Sequence, residues 1–404
     1  MARSCSTLCL PADQDAYRQL IDDPRRFRAW LDRAFRDHPE LFPTAFAHGY
    51  TLKDSRVAAK TGLRLRRLRL KATGQAFSVR PSFVLPYATA YTDDVRNALF
   101  VRSFGVPFWA LARVFGHNRM FWYRLEASLG RNSVVGTTVR QVDVPPHLVA
   151  DEHHQERDGV KNYIATTVGG GCCLGAEVAV SASLEDLQAA YEVFKQEAQD
   201  AQADYQTQTI NTDGWASTYG AWQVLFPCVA VLRCFLHSWL NIRKRAKHLG
   251  DVFRTLGHKV WHAYRASNAR QMSQRLRRLG EWAKQHLTSA AVREEVDKLC
   301  SHSRAFQVAY GQPEGQRTSV MLDRVMRSMN RYFEDGQHLH GSQAAATRHS
   351  RAWALLYNFR PWSPATTRVN QGWESPAERL NRHRYHDDWL QNLLISASLG
   401  GFQR

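Results

Sequence analysis

The sequence predicts a mixed α/β protein whose sheet-forming part is interrupted by an all-helical segment and preceded by a basic, helix-containing region. Three observations predict it. From about His147 the apolar spacing changes to alternation around Gly-rich turns; two of the strands so defined end in Asp; and from about Leu236 to Ala309 only helical spacing occurs. The chain then divides at 1–140, 141–235, 236–310 and 311–404, with no internal repeat or low-complexity tract.

Composition narrows the class. The 404 residues exceed one typical core and allow two or three domains. Lys and Arg number 54 against 37 Asp and Glu, and a net charge of +17 in a chain of ordinary apolar content points to a polyanionic partner, most often nucleic acid. Seven Cys, an odd number, argue against a disulfide framework and for a reducing cytoplasm. The opening stretch MARSCSTLCLPADQDAY lacks the apolar core, about 7–15 residues long, of a secretory signal. Cys5 and Cys9 have the spacing of a zinc-ligand pair, but no second pair follows, and they read as free thiols in a loose N-terminus.

In the first region LRLRRLRLKATG, Leu63 to Gly74, nearly alternates apolar and basic residues and reads as a solvated edge strand or a phosphate-contacting arm. Thr92 can cap a helix that carries Val95, Leu99 and Phe100 and breaks at Gly105. Pro107 opens a second helix that ends at Gly116, and Asn118 opens a third. Two short helices joined across a Gly have the helix-turn-helix arrangement, here near 92–130. With the basic charge, this places Asn118, Arg119, Tyr123 and Arg124 toward the major groove or phosphates of double-stranded DNA; the plain alternative is a three-helix packing unit with surface arginines.

The second region opens with HLVAD, a short buried strand expected to end at Asp151. KNYIATTVG and GCCLGAEVAV follow as a hairpin, with Cys172 and Cys173 as small packing residues at its turn. Ser183 caps the amphipathic helix SLEDLQAAYEVFKQEAQDAQ, and TQTINTD is a strand that ends in Asp213. The longest apolar run, Ala221 to Leu240, has about the length of a membrane span, but Pro227, Arg233 and His237 interrupt it. It reads instead as a buried strand, CVAVL, leading into a half-buried helix, so no membrane partner is expected.

The third region is a run of helical patterns, basic on its exposed faces. An α/β pattern is expected to resume partly after it, beginning with a capped helix that carries Asp323 in its first turns. The C-terminal stretch with Trp389, Leu390, Leu393 and Leu394 reads as a core-packing amphipathic helix, an oligomer contact being the other possibility.

Three acids far apart in sequence suit one kind of chemistry. Mg²⁺ or Mn²⁺ takes hard oxygen ligands, so a two-metal site needs only a few carboxylates converging from separate elements. Two such ions about 3.5–4 Å apart activate a nucleophilic oxygen and stabilise the leaving oxygen of a phosphodiester. Asp151, Asp213 and Asp323 fit this demand as metal-binding catalytic residues. Glu152 points to the other side of its strand. Asp323 opens a helix in which Arg324, Arg327 and Arg331 can reach phosphates; alternatively it pairs with Arg327 at i+4, and Glu374 and Glu378 compete for the third acid's role.

ADEHHQERDGVKNYIATTVGGGCCLGAEV, NTDGWASTYGAWQVLFPCVAVLRCFLHSWLNIRKR, RTSVMLDRVMRSMNRYF and NFRPW together resemble the catalytic core of bacterial insertion-sequence DDE transposases, within these the Mutator-like group. The resemblance covers about residues 90 to 400. It implies an RNase H-like fold with a helical insertion between the second and third acids, and Mg²⁺-dependent cleavage and strand transfer at the element's terminal inverted repeats. It also implies a homo-oligomer on DNA, since two element ends must be held, and a cytoplasmic, nucleoid-associated location in a bacterium. Cys234 and His237 form a Cys-x-x-His signature near such sites, so His237 is expected to position a DNA strand or the site itself. The family usually has Glu in an N-x-x-E-R-like motif where this chain has Asp323. The competing readings are a DNA-binding regulator that has lost its chemistry and a related structure-resolving nuclease.

Overall fold

A computed structural model describes residues 6–335 and 339–402. Its first part is a four-stranded sheet of β1 (Thr7–Leu10), β2 (Tyr50–Val57), β3 (Arg64–Leu70) and β4 (Ala76–Pro81), packed by α1 (Gln14–Ile21) and α2 (Pro24–Asp37). The order is β1-β4-β3-β2, with β1 parallel to β4 and the other pairs antiparallel. The stretch read as an edge strand or arm is β3, an interior strand that buries Leu65, Leu68 and Leu70 and keeps its arginines between them. Cys9 is a buried β1 residue rather than part of a loose terminus, and Cys5 lies outside the described residues.

Three helices follow, α3 (Thr92–Arg102), α4 (Phe108–Phe115) and α5 (Arg119–Leu129), then the short α6 (Val134–Thr138). Gly105 and Gly116 take φ of +97° and +76°, which lets the chain turn between them without a Cβ clash. Asn118 caps α5 by accepting from the Phe121 amide at 2.8 Å. Thr92 does not cap α3; the cap position is Tyr91, and the Thr92 hydroxyl turns inward to the Phe83 carbonyl.

The second sheet comprises β5 (His147–Arg157), β6 (Val160–Gly169), β7 (Cys172–Ala179), β8 (Thr209–Thr212) and β9 (Ala230–Arg233), in the order β7-β6-β5-β8-β9. β5, β6 and β7 form an antiparallel meander, while β8 and β9 run parallel to β5. Parallel neighbours need crossovers, supplied by α7 (Leu184–Ala201) and α8 (Ala216–Leu225). β5 does not end at Asp151 as expected. It runs six residues further because β6 continues to pair with it after β8 has stopped. Cys172 and Cys173 are the first residues of β7, after a turn at Gly170 and Gly171, and both are buried.

Residues 235–311 are helical: α9 (Phe235–Ala246), α10 (Asp251–Tyr264), α11 (Ala269–His286), α12 (Ala290–Ser301), α13 (Ser303–Gln307) and a short 3₁₀ turn. They pack around their own core, from Phe235 and Trp239 to Leu299 and Phe306. After them come α14 (Val320–Asp335), α15 (Gln343–Phe359), α16 (Pro364–Val369), α17 (Pro376–Asn381) and α18 (Trp389–Ser396). The expected return of strands does not occur among the described residues; helices supply that layer instead, apart from one isolated bridge between Arg157 and Leu339.

The two faces of the second sheet bury alternate residues. Leu148, Ala150 and Leu174 pack under α7 and α8. Val149, Ile164 and Cys173 pack under α14 and α15, in a core continuous with that of the first sheet and α18. α18 buries Leu390, Leu393 and Leu394, and the first sheet and the last helix are therefore held by one hydrophobic cluster. Among the described residues no helix is long and apolar enough to cross a membrane, and Ala221 to Leu240 is divided between α8, β9 and α9.

Asn358, from the NFRPW stretch, locks α15 to β7. Its side chain accepts from the Cys173 amide at 2.8 Å and donates to the Cys173 carbonyl at 2.7 Å and to Thr138 at 2.9 Å. The residue is fully buried beside a bulge in the β6–β7 pairing. Asn358→Ala leaves a buried amide and carbonyl without partners and is expected to cost about 2–4 kcal/mol. The urea unfolding midpoint should fall accordingly, and an unchanged midpoint would remove Asn358 from this role.

Candidate active site

The acids meet because of strand register. His147, Leu148 and Val149 of β5 pair with Thr209, Ile210 and Asn211 of β8. Two residues on, Asp151 comes level with Asp213, the residue directly after β8. The chain then turns sharply at Gly214, where φ is +92° and an added Cβ would lie 2.4 Å from the Arg233 guanidinium. Asp213 Oδ1 accepts from the Trp215 amide at 2.8 Å and Asp151 Oδ1 from the Glu152 amide at 2.9 Å, so each carboxylate is fixed at one oxygen.

β9 and the insertion bring a further pair. The Cys234 amide donates to the Thr212 carbonyl at 2.7 Å, fixing the start of α9 against the end of β8. His237, one turn along, places Nε2 4.0 Å from Asp151 Oδ2. Cys234 Sγ accepts from the Ser319 amide at 3.3 Å and lies 3.4 Å from its hydroxyl. The Ser319 hydroxyl in turn donates to Asp323 at 3.3 and 3.4 Å. The start of α9, where His237 faces Asp151, is therefore tied through Cys234 and Ser319 to Asp323 on α14.

The electrostatics agree with this geometry. Burial pushes the Asp151 carboxyl up to about 6, and the negative charges of Asp213 and Asp323 push the same way against His237. The Cys234 sulfur, more than the two acids, lifts His237 to about 9, although no hydrogen bond of ordinary geometry reaches its buried Nδ1. Burial opposes ionisation of Cys234, but the imidazole and Ser319 outweigh it and lower its pKa. Glu152, on the opposite face of β5, is raised by burial to about 7 while Tyr191 and Thr218 donate to its Oε1 at 2.7 and 2.8 Å.

Asp151, Asp213, His237 and Asp323 thus lie in one cluster, and among the described residues Asp323 forms no ion pair with Arg327. Glu378 sits elsewhere: it is buried, accepts from the Glu374 amide at 3.0 Å, and lines a different cavity with Arg140, Asn381 and Tyr385. Neither Glu374 nor Glu378 is among the charges acting on Asp151.

Whether the cluster suits a divalent cation can be judged from its donors. Among the described residues no three His, Cys, Asp or Glu side chains converge on a single point. The donors present are of the hard-oxygen type such an ion takes: three carboxylates, of which Asp151 is held protonated to unusually high pH by burial and its like-charged neighbours, and the buried Asn211 Oδ1 without a hydrogen-bond partner.

The residues expected to face DNA divide into two groups. Arg119 and Arg124 are exposed on α5. Asn118 is occupied as the helix cap, and Tyr123 turns inward, half-buried 5.8 Å from the Phe108 ring and 4.6 Å from the His349 ring, because its face of α5 packs toward α15. On α14, Arg324, Arg327 and Arg331 are all exposed at i, i+3 and i+7.

A buried polar cluster that the sequence did not disclose holds the far end of α14. Arg102 donates to Glu126 at 2.6 Å and to Tyr332 at 2.9 Å, and His349 lies 2.8 Å from Glu126. Arg102 also stacks between the Phe108 and Tyr332 rings. Burial disfavours the Glu126 charge, but Arg102 and His349 win and hold its carboxyl at about 2. Ser319 was likewise missed, since nothing in its local sequence marks a contact with Cys234, 85 residues away. Arg233 was missed too, because only the pairing of β9 with β8, which sets it opposite Thr212, brings its charge near Asp213.

No protein-family model matches this chain, and no curated protein matches it.

Asp151 yields a pH prediction whose sign follows from its raised pKa. The folded state holds the proton more tightly than the unfolded chain, so the contribution to stability is complete below about pH 4 and lost as pH rises through about 6. Asp151→Asn removes that loss. The variant is expected to be more stable than the parent at pH 7.5 by up to about 3 kcal/mol, less the share that His237 offsets, and equal to it near pH 4. Paired urea titrations at the two pH values check this; a less stable variant at pH 7.5 would contradict it.

Proposed function

We propose that the chain is a DNA transposase of the insertion-sequence DDE type, similar to the Mutator-like group, which nicks DNA at element ends and joins the freed 3′-hydroxyl to a target. The observation that carries this reading is the cluster itself: Asp151, Asp213 and Asp323 come from a strand, a strand end and a helix, with the helical insertion between the second and third, and act on one another electrostatically. On this reading the second sheet with its crossover helices is an RNase H-like core, and α3, α4 and α5 form a helix-turn-helix unit that binds terminal inverted repeats. An oligomer holds both ends, in the cytoplasm on the nucleoid.

Mg²⁺ or Mn²⁺ held by Asp151, Asp213 and Asp323 would polarise the scissile phosphodiester and activate the attacking oxygen. The chain's own residues do the rest. The Asp213 carboxylate is aimed by its Trp215 bond, and Asp323 by Ser319. His237, cationic at neutral pH, faces Asp151 and opposes the negative charge that collects there. The exposed arginines of α14 lie on the same helix as Asp323, so phosphates bound along it are carried toward the acids.

Purified protein with a duplex carrying the element's inverted repeat tests the reading. Asp213→Asn and Asp323→Asn should each reduce Mg²⁺-dependent nicking by about 10³-fold or more, several kcal/mol of transition-state stabilisation, with DNA affinity little changed. Glu374→Gln and Glu378→Gln should still cut. Loss of cutting on Glu378→Gln with Asp323→Asn active would move the third acid; full activity in both Asp variants would sink the catalytic assignment.

A further inference from the structure

Most of the chain's net positive charge is concentrated in one place. Between Phe235 and Gly311 fifteen Lys and Arg stand against five Asp and Glu, so the helical insertion carries +10 of the chain's +17. Four of those five acids are already taken: Asp251 by Arg254, Glu281 by Arg277, and Glu294 and Glu295 by Lys298, with Arg245 also on Glu295. Arg243, Lys244 and Lys247 at the end of α9 are exposed, and none of them is in an ion pair among the described residues.

The position of α9 gives that charge a direction. Phe235, Trp239, Ile242 and Ala246 face the insertion's core. The other side starts at His237, beside Asp151, and continues through Leu240, Asn241 and Lys244 at i+3, i+4 and i+7, all exposed beyond His237. Lys244 is thus roughly 10 Å along the axis from His237, about three nucleotide steps of B-form DNA. The insertion packs on β9, the outer strand at one edge of the sheet, whereas α5 packs on α15 and α15 on β7 at the opposite edge.

We propose that the Asn241–Lys244 stripe of α9, flanked by Arg243 and Lys247, is a second phosphate-binding track, which holds the DNA on the side of the acids remote from α5. The inference rests on the DNA-cutting reading of the acids and adds the path of the substrate beyond them. DNA held by α5 and α14 enters on one side of the cleft. The strand leaving on the other side lies along α9, where a lysine and an arginine meet successive phosphates and no carboxylate competes for them.

The test is the salt dependence of binding by the triple variant Arg243→Ala, Lys244→Ala, Lys247→Ala. Each phosphate contact contributes about 0.9 to the slope of log affinity against log salt, so on a duplex that extends past the cut position the slope should fall by about 2–3, with affinity reduced at least about tenfold at moderate salt. On a duplex truncated at the cut, parent and variant should bind alike. Should the triple variant fail to fold, judged by its circular dichroism melt, Lys244→Ala alone should lower the slope by about one. A parental slope on the long duplex, or equal loss on both duplexes, overturns the track. Cutting by the parent protein decides the underlying reading separately: a parent that binds the long duplex through α9 but never cuts it retains the track and loses the chemistry.

Discussion

Two carboxylates brought side by side by neighbouring parallel strands, Asp151 on β5 and Asp213 directly after β8, are the constraint around which the molecule is organised. Burial, and after it the negative charge of Asp213, lifts Asp151 to about 6. Such an arrangement persists only if the surrounding structure over-determines it. Pairing of β5 with β6 fixes Asp151 directly and pairing with β8 fixes the strand just before it, while Gly214 and the Asp213–Trp215 bond fix Asp213. On the reverse face Glu152 joins β5 to α7 through Tyr191 and to α8 through Thr218, so the strand of the first acid and the helix after the second are tied from behind.

Two further helices, α14 and α9, meet at these acids. α14, 16 residues and roughly 24 Å long, has Asp323 near one end and Tyr332 near the other. Tyr332 is held by Arg102 and Glu126, which belong to α3 and α5, so the helices proposed to bind element ends and the helix of the third acid share one buried polar cluster. A partly satisfied cluster of this kind is costly, and a fully satisfied one is rigid. α9 leaves the cleft in the other direction, with Cys234 and Ser319 joining its start to the start of α14. Displacing either helix therefore disturbs the other at the point where both meet the acids.

The sequence made the α/β class, the helical insertion and the hairpin legible because each rests on a local period. Ser183 and Asn118 act as the caps their residue types suggest. Of the first sheet only β3 was legible, as a strand or an arm: β1 pairs with β4 some 70 residues away, and a four-residue strand carries no period to detect. The length of β5 past Asp151 is set by its partners rather than its own residues. At the site, the acids were singled out by their positions at strand ends and at a helix start. Tyr123 was placed outward because helical spacing alone does not tell which face of α5 meets α15; His349, its partner, lies more than 200 residues on. Ser319, Arg233 and the Arg102–Glu126–Tyr332 group escaped notice for the same reason, since a buried polar contact is visible only once both halves are in place.

We propose that Asp151, Asp213 and Asp323 form one electrostatic unit that takes up a dication. Calorimetric titration of the whole chain with Mn²⁺ near pH 6, in two buffers of different ionisation enthalpy, tests it most directly. Binding should release a proton, because a cation beside Asp151 drives off the proton that burial and Asp213 retain. Binding should also be at least about tenfold weaker in Asp323→Asn, a change of about 1.4 kcal/mol or more, and unchanged in Glu378→Gln. Absence of Mn²⁺ binding, or binding that survives Asp323→Asn and disappears in Glu378→Gln, would contradict it.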